Sequence, residues 1–159
     1  MMVSQIMTPG LVKETIGQRK KHVSMMSNEE IEYLVKRVKR QCHSWIESEH
    51  LTSSGRHFHK KYIQDILLSD ISKCLIEYNE RFSKTFSRRV LLRSSYATPA
   101  LLDFDGHRSW FFANLCIVMD IDTGKIVTAY WNKVSDSHGS INFSRYDETL
   151  QILKHKKSR

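Results

Sequence analysis

The chain has 159 residues, of which 40% are hydrophobic and 10% aromatic, so we expect one folded domain and not a disordered segment. Lys and Arg number 25 against 17 Asp and Glu, and the resulting charge of +8 favours a polyanionic partner, nucleic acid first and an anionic membrane surface second. No apolar run approaches the ~18–20 residues of a membrane span, and the first residues lack the apolar segment of a secretory signal. We therefore expect a cytoplasmic protein with no membrane partner.

The first 26 residues show no helical or strand periodicity and include a basic cluster at positions 19–22. They are predicted to form a flexible basic arm. Order is expected to begin at Ser27, which forms a capping-box pattern with Glu30. Apolar residues then recur at helical spacing to about Glu49, which predicts an amphipathic helix.

A second amphipathic pattern, from about His59 to Arg81, predicts another helix. Strands are predicted at 89–94 and, because of a long apolar run, at 110–121. A turn at 122–124 leads to a returning strand at 125–131. These elements predict an α+β fold in which two N-terminal helices pack on a small, mostly antiparallel sheet. The single domain would span residues 27–153 and be followed by a basic tail at 154–159.

Residues 56–61, with the sequence Arg-His-Phe-His-Lys-Lys, carry two imidazoles and three permanent cations. Imidazole exchanges protons near neutral pH, and Arg and Lys bind phosphate. A helix start adds backbone N–H groups that favour anions. These groups together supply what metal-free RNA cleavage requires, whereas the alternative interpretation is a solvated basic helix start.

The order of elements resembles that of the compact ribonucleases that include barnase, colicin D and the RelE and RegB mRNA interferases. The local match is to the colicin D nuclease domain, whose Lys- and His-rich cluster corresponds to His57, His59, Lys60 and Lys61. The run from Phe58 to Gln64 is also similar to a segment of the RegB-type endoribonuclease. The resemblance extends over about residues 51–143.

A late hairpin carries the second part of the resemblance. In colicin D this hairpin consists of a strand, a Gly turn and the segment Ser-Gly-Trp. The corresponding parts of this chain are residues 115–119, Thr123-Gly124 and Thr128-Ala129-Tyr130. Because this chain has Thr-Ala-Tyr-Trp in place of Ser-Gly-Trp, either Tyr130 or Trp131 could correspond to the aromatic residue of colicin D. The essential histidine likewise has two alternatives within the basic cluster, His57 or His59.

The resemblance implies a metal-independent endoribonuclease, either a toxin or a phage or bacterial RNA-cleaving factor, that inhibits translation by cutting tRNA or mRNA. The RNA 2′-hydroxyl would attack the phosphate to leave 2′,3′-cyclic phosphate and 5′-hydroxyl ends. His59 is the first choice for the general acid or base. The candidate catalytic residues are His59, His57, Lys60, Lys61, Thr128 and Tyr130. The candidate substrate-binding residues are Arg56, Arg93, Trp131, His138 and Arg145.

No metal or cofactor is expected. Cys42, His43, His50, His57 and His59 lie close together in sequence without zinc-finger spacing, and the three widely spaced cysteines of the chain are typical of reduced core thiols. Asp103 and Asp105 could suggest a metal-dependent nuclease, but the pair Asp105-Gly106 is better explained as a hairpin turn.

RNA is the expected partner, together with an acidic antitoxin or immunity protein that complements the positive charge. The alternative function is a non-catalytic basic module that binds RNA, DNA or a protein. An RNA-binding module would usually show surface aromatics on strands or a recognition helix. The sequence shows no such motif, which favours the enzyme.

Overall fold

The computed structural model describes residues 17–53, 60–104, 106–136 and 143–158. Within these ranges, seven strands form one sheet in the order β1-β3-β4-β6-β7-β2, and β5 pairs with part of β6. All pairs are antiparallel except β2 with β7. The strands are β1 Gly17–His22, β2 Ile46–Glu47, β3 Leu75–Phe82, β4 Phe86–Arg93, β5 Thr98–Phe104, β6 His107–Asp120 and β7 Lys125–Lys133.

Three α-helices accompany the seven strands in the described ranges. They are α1 Asn28–Arg40, α2 Glu49–Ser53 and α3 Lys60–Leu68. The capping box at the start of α1 is confirmed: the Glu30 N–H donates to Ser27 Oγ at 3.1 Å, and the Ser27 N–H donates to Glu30 Oε1 at 2.9 Å. The helix ends at Arg40, nine residues before the predicted end, because the chain then turns into the edge strand β2.

The predicted architecture of two N-terminal helices on a small sheet is wrong, because the protein is dominated by its sheet. The second predicted helix ends at Leu68, where Asp70 Oδ1 accepts the Ser72 N–H and starts a single 3-10 turn. Residues 75–82 form β3 and not a helical continuation. Their backbone groups pair on both sides, with β1 and with β4, so non-local hydrogen bonds override the local helical spacing.

The N-terminal strand β1 is a further correction. Residues 17–22, which the sequence analysis assigned to a flexible arm, pair with β3 along their whole length. Arg19 also forms an ion pair with Asp147 at 2.6 Å, and the Asp147 N–H donates to the Lys20 carbonyl. The C-terminal part of the chain thus holds this strand in place. The rest of the predicted arm, residues 1–16, lies outside the described residues.

The hairpin of β6 and β7 follows the sequence prediction closely. Gly124 ends the turn with a φ of 79°, a left-handed conformation that favours glycine. The turn is closed by Asp120 Oδ1, which accepts the N–H groups of Asp122 and Thr123. A bulge places Val127 as an extra residue, so that Val118 pairs with Thr128.

One face of the sheet, which we call the covered face, packs against α1, α3 and the C-terminal residues. Its core is apolar, and an ion-pair cluster joins the sheet to α1: Asp122 accepts hydrogen bonds from Arg88 and Arg37, and Arg88 also donates to the Tyr33 hydroxyl. The core side chains contributed by the central strands and helices include Leu34, Val38, Ile63, Ile66, Leu67, Tyr78, Val90, Leu92, Leu115, Ile117, Met119 and Ile126.

The opposite face, which we call the open face, is polar. Side chains alternate along each strand, so the residues next to the core positions point to this side. The pairing register forms two rows across it. One row contains Glu77, Leu91, Val118 and Thr128, and the other contains Arg93, Cys116 and Tyr130.

Candidate functional site

A cavity of about 670 Å³ lies on the open face. Its floor is formed by β3, β4, β6 and β7, and its lining is largely polar and basic. A second cavity of about 480 Å³ adjoins it and shares His50, Arg81, Arg89 and Val127. Together the two cavities make a continuous depression along one side of the sheet. The polar residues that line the first cavity are Lys20, His50, Glu77, Asn79, Arg81, Arg89, Thr128 and Tyr130.

Two guanidinium groups, those of Arg81 and Arg89, dominate the charge of the cavity. Burial lowers the pKa of Arg89, and the positive charge of Arg81 lowers it further, against the opposing effect of Asp120. The buried Nε of Arg89 has no hydrogen-bond partner in the part of the chain that the structure describes. Among the described residues, neither guanidinium forms an ion pair with a carboxylate. Two adjacent like charges with free donor capacity are suited to bind an anion such as phosphate.

A carboxylate, Glu77, stands beside these cations. Its Oε1 accepts a hydrogen bond of 2.6 Å from the Tyr146 hydroxyl, and its Oε2 lies 3.5 Å from Lys20 Nζ. The Tyr146 ring packs edge-on against His22, with the ring centroids 5.3 Å apart. Burial first, and then the bond to Glu77, raise the pKa of Tyr146, so its hydroxyl stays protonated at neutral pH.

Tyr130 lies at the centre of the open face, on β7. Burial is the main cause that raises its pKa, followed by its neighbours Cys116 and Glu77. The phenol therefore acts as a hydrogen-bond donor and not as a base near pH 7. Burial likewise raises the pKa of the Cys116 thiol to about 11, so this cysteine remains neutral.

Arg93 lies on the same face as Tyr130 but on β4, which β6 separates from β7. Its Nε donates to Asn132 Oδ1 at 3.1 Å, and its Nη2 donates to the Asp136 carbonyl at 3.1 Å. These bonds fix the guanidinium on the open face, where Arg93 lines neither of the two cavities. Arg93 and Tyr130 both pair with Cys116 on opposite sides of β6, so they flank the same central strand.

His50 reaches the cavities from the short helix α2. Ser48 holds this helix beside β7, because its Oγ donates to the Val127 carbonyl at 3.0 Å and accepts the Leu51 N–H at 3.1 Å. Leu51 is buried in the core, while the exposed His50 lines both cavities. The sequence analysis considered His50 only as a possible metal ligand.

The structure brings together some of the predicted site residues. Thr128 and Tyr130 line the main cavity, and Arg93 shares their face. Trp131 lies on the covered face instead, where its ring packs edge-on against Tyr62 at 5.5 Å between centroids. The remaining described candidates are exposed and are not among the lining residues of the two cavities: Lys60 and Lys61 at the start of α3, and Arg145.

Four predicted residues, Arg56, His57, His59 and His138, lie outside the described residues, so their roles stay predictions. The sequence analysis missed Lys20, Glu77 and Arg81 because they lie on β1 and β3, two strands that it did not recognise. A period-two pattern was available in β4, where Arg89, Leu91 and Arg93 alternate with core positions. The missed charged and ionisable residues are Lys20, His50, Glu77, Arg81 and Arg89.

Within the described ranges, no helix has the length and apolar content needed to cross a membrane. In the same part of the chain, no group of three or more His, Cys, Asp or Glu side chains is arranged to hold a metal ion. Comparisons of the chain with protein-family models, curated proteins and solved structures find no match. The chemistry of the open face is therefore the basis for inferring function.

Proposed function

We propose that this protein is a metal-independent endoribonuclease whose substrate phosphate binds in the cavity on the open face. One observation carries the proposal: Arg81 and Arg89, which form no ion pair with a carboxylate of the described residues, share a cavity with Thr128 and Tyr130, the two strand residues selected from the sequence. Cations and neutral hydroxyl donors thus converge on one polar depression. This combination suits a phosphodiester, which offers negative charge and hydrogen-bond acceptors at the same point.

The proposed reaction begins with attack of the RNA 2′-oxygen on the adjacent phosphorus. A general base removes the 2′-hydroxyl proton, and a general acid protonates the 5′-oxygen as its bond to phosphorus breaks. The products are a 2′,3′-cyclic phosphate and a 5′-hydroxyl. Arg81, Arg89 and Lys20 would neutralise the charge that builds on the phosphate, and the Tyr130 phenol would donate a hydrogen bond to it.

Proton transfer is assigned to the predicted His59, with His57 as its alternative. Among the described residues, His50 is the imidazole that lines the cavity, and Glu77 is the carboxylate that does so. If either predicted histidine acts, it would complete a site whose phosphate-binding part is formed by the sheet. The substrate class is tRNA or mRNA, and an acidic antitoxin or immunity protein would be a complementary inhibitor of this basic surface.

The decisive experiment is incubation of the purified protein with tRNA and total RNA in EDTA. We expect discrete fragments with 5′-hydroxyl ends. Cleavage that requires added magnesium or zinc would refute the mechanism. Tight RNA binding without cleavage under any condition would favour the non-catalytic module.

The same assay tests the histidine assignment. His59→Ala should abolish cleavage while the melting temperature and RNA affinity stay nearly unchanged, because a lysine ammonium stays protonated at neutral pH and cannot replace an imidazole. His57→Ala is the matched variant and should retain more activity. Full activity in both variants would move the proton-transfer role to another residue, with His50→Ala as the next test.

A further inference from the structure

Two large aromatic side chains, those of Trp110 and Phe112, stand exposed on the hairpin formed by β5 and β6. Trp110 is 69% exposed and Phe112 is 62% exposed. They are separated by one residue, so they point to the same side of β6, as does the exposed Arg108. We call these three residues the aromatic stripe. Their burial in the fold is slight, so core packing does not explain them. They are surface aromatics on a strand, a feature of RNA-binding modules that the sequence analysis did not find.

The aromatic stripe lies on the same face of β6 as the candidate site, with the buried residues Asn114 and Cys116 between them. Every second side chain of β6 points to the same face, so Phe112 shares its face with Asn114, Cys116 and Val118. Val118 lines the main cavity. The register between β6 and its neighbours β5 and β7 is regular over residues 107–118, so this alternation is kept. Phe112 and Val118 are six residues apart, which corresponds to about 20 Å along a strand.

We propose that the aromatic stripe is a stacking platform for single-stranded RNA that extends from the cavity. This inference rests on the proposed function for the identity of the polymer. Bases stack on exposed aromatic rings with little sequence preference, and a nearby cation such as Arg108 pairs with the backbone. A fully stacked strand advances about 3.4 Å per nucleotide, so about six nucleotides would span the distance, and a more extended strand would need fewer.

The size and charge of the surface favour RNA over a second copy of the chain. Two aromatic side chains bury at most about 500 Å² between them, which is below the ~800 Å² per partner of a stable protein interface. Leu101 and Val134, which lie beside the rings, are 41% and 51% exposed and enlarge the patch only at its rim. A symmetric contact would also place Arg108 near its own copy in a chain of net charge +8.

The test measures binding of 2′-O-methyl oligouridylates, which cannot be cleaved by 2′-hydroxyl attack. Wild-type protein should bind a 12-mer more tightly than a 4-mer. Trp110→Ala and Phe112→Ala should each raise the Kd for the 12-mer at least about fivefold and leave that for the 4-mer within twofold. Trp110→Phe should keep most of the affinity, whereas Trp110→Leu should resemble Trp110→Ala, because leucine is apolar but does not stack. Leu101→Ala, on the paired position of β5, is the control and should bind like wild type.

Each contrary result has a defined meaning. Wild-type affinity for the 12-mer in Trp110→Ala, or in Trp110→Leu, would overturn the platform. A wild-type dimer that Trp110→Ala dissociates, with RNA affinity unchanged, would assign the surface to self-association and also overturn it. If wild-type protein binds the 12-mer through Trp110 but cleaves no RNA in EDTA, the platform stands and the proposed nuclease activity fails. Unchanged melting temperatures in all variants exclude unfolding as the cause.

Discussion

On the covered face, Arg88 donates to both carboxylate oxygens of Asp122 and to the Tyr33 hydroxyl. The next residue, Arg89, extends to the open face, and its buried Nε has no hydrogen-bond partner among the described residues. The same contrast holds for lysines. Lys21 contacts both oxygens of Glu30 and the Leu150 carbonyl, while its neighbour Lys20 lines the cavity. Adjacent residues on one strand thus have different roles because they point to opposite faces.

The difference shows where the protein uses charge for structure and where it keeps charge available. A buried cation costs free energy unless it is paired, and on the covered face it is paired. On the open face, the guanidinium groups of Arg81 and Arg89 remain adjacent despite their repulsion. Such perturbed groups in a cleft are typical of functional sites, and the proposed function assigns the counter-charge to an anionic ligand.

The strongest test of the covered face is Asp122→Ala. This change removes the shared partner of Arg37 and Arg88, whose side chains are only 10% and 4% exposed. We expect the free energy of unfolding to fall by about 3 kcal/mol, the lower end of the range for a broken buried ion pair, because Asp122 itself is 39% exposed. Urea denaturation measures the loss. Asp103→Ala, at an exposed position of β5, is the control, and an equal loss in that variant would contradict the role assigned to the cluster.

The central test of the open face is Tyr130→Phe, which removes one hydroxyl and keeps the ring. If the protonated phenol stabilises the transition state, kcat should fall by about 100-fold while RNA affinity changes little. Single-turnover cleavage and equilibrium binding separate the two quantities. Tyr146→Phe is the matched variant at the edge of the face and should lose less activity. A Tyr130→Phe protein as active as wild type would leave the phenol without a catalytic role.

A comparison of neighbouring arginines sharpens the contrast between the faces. Arg89→Ala should raise the Kd for RNA about tenfold and reduce the slope of log Kd against log salt by about one, with little effect on folding. Arg88→Ala should instead lower stability and leave the salt slope unchanged. Binding titrations between 50 and 200 mM salt, combined with urea denaturation, provide both numbers. A reversal of the two phenotypes would show that the faces have been assigned the wrong roles.

The smallest expected effect concerns Asp147, which holds the C-terminal segment against β1. Hydrogen bonds from Thr149 and then Arg19 lower its carboxyl pKa to about 2. Because the folded pKa is lower than that of an unfolded aspartate, near ~3.9, its stabilising contribution is present at neutral pH and is lost as the pH falls towards 2. Asp147→Ala should lower Tm by about 1–2 °C at pH 7 and by much less at pH 2, where the carboxyl is about half protonated, while Glu148→Gln should have no effect at either pH. A difference in Tm between wild type and Asp147→Ala that stays constant from pH 7 to pH 2 would show that the ionised carboxylate is not the source of the stabilisation.

Local patterns in the sequence were sufficient for some elements. The capping box of Ser27 and Glu30 satisfies backbone groups within one helical turn, and the hairpin of β6 and β7 is set by a short Gly turn between apolar segments. Thr128 and Tyr130 could be placed on one strand face by their spacing alone. In these cases the interacting groups are close in the chain, so neighbouring residues carry the information.

The sequence by itself determined α1, the β6–β7 hairpin, the excess of positive charge, and the pair Thr128 and Tyr130. Only the tertiary structure decided that residues 17–22 and 75–82 are strands, because their backbone hydrogen bonds go to partners distant in the chain. Those strands bring Lys20, Glu77 and Arg81 beside Arg89, and the register of β6 aligns Trp110 and Phe112 with the same face. Strand pairing is non-local, and the side of a sheet that a residue occupies is defined only once the pairing and the covering helices are in place.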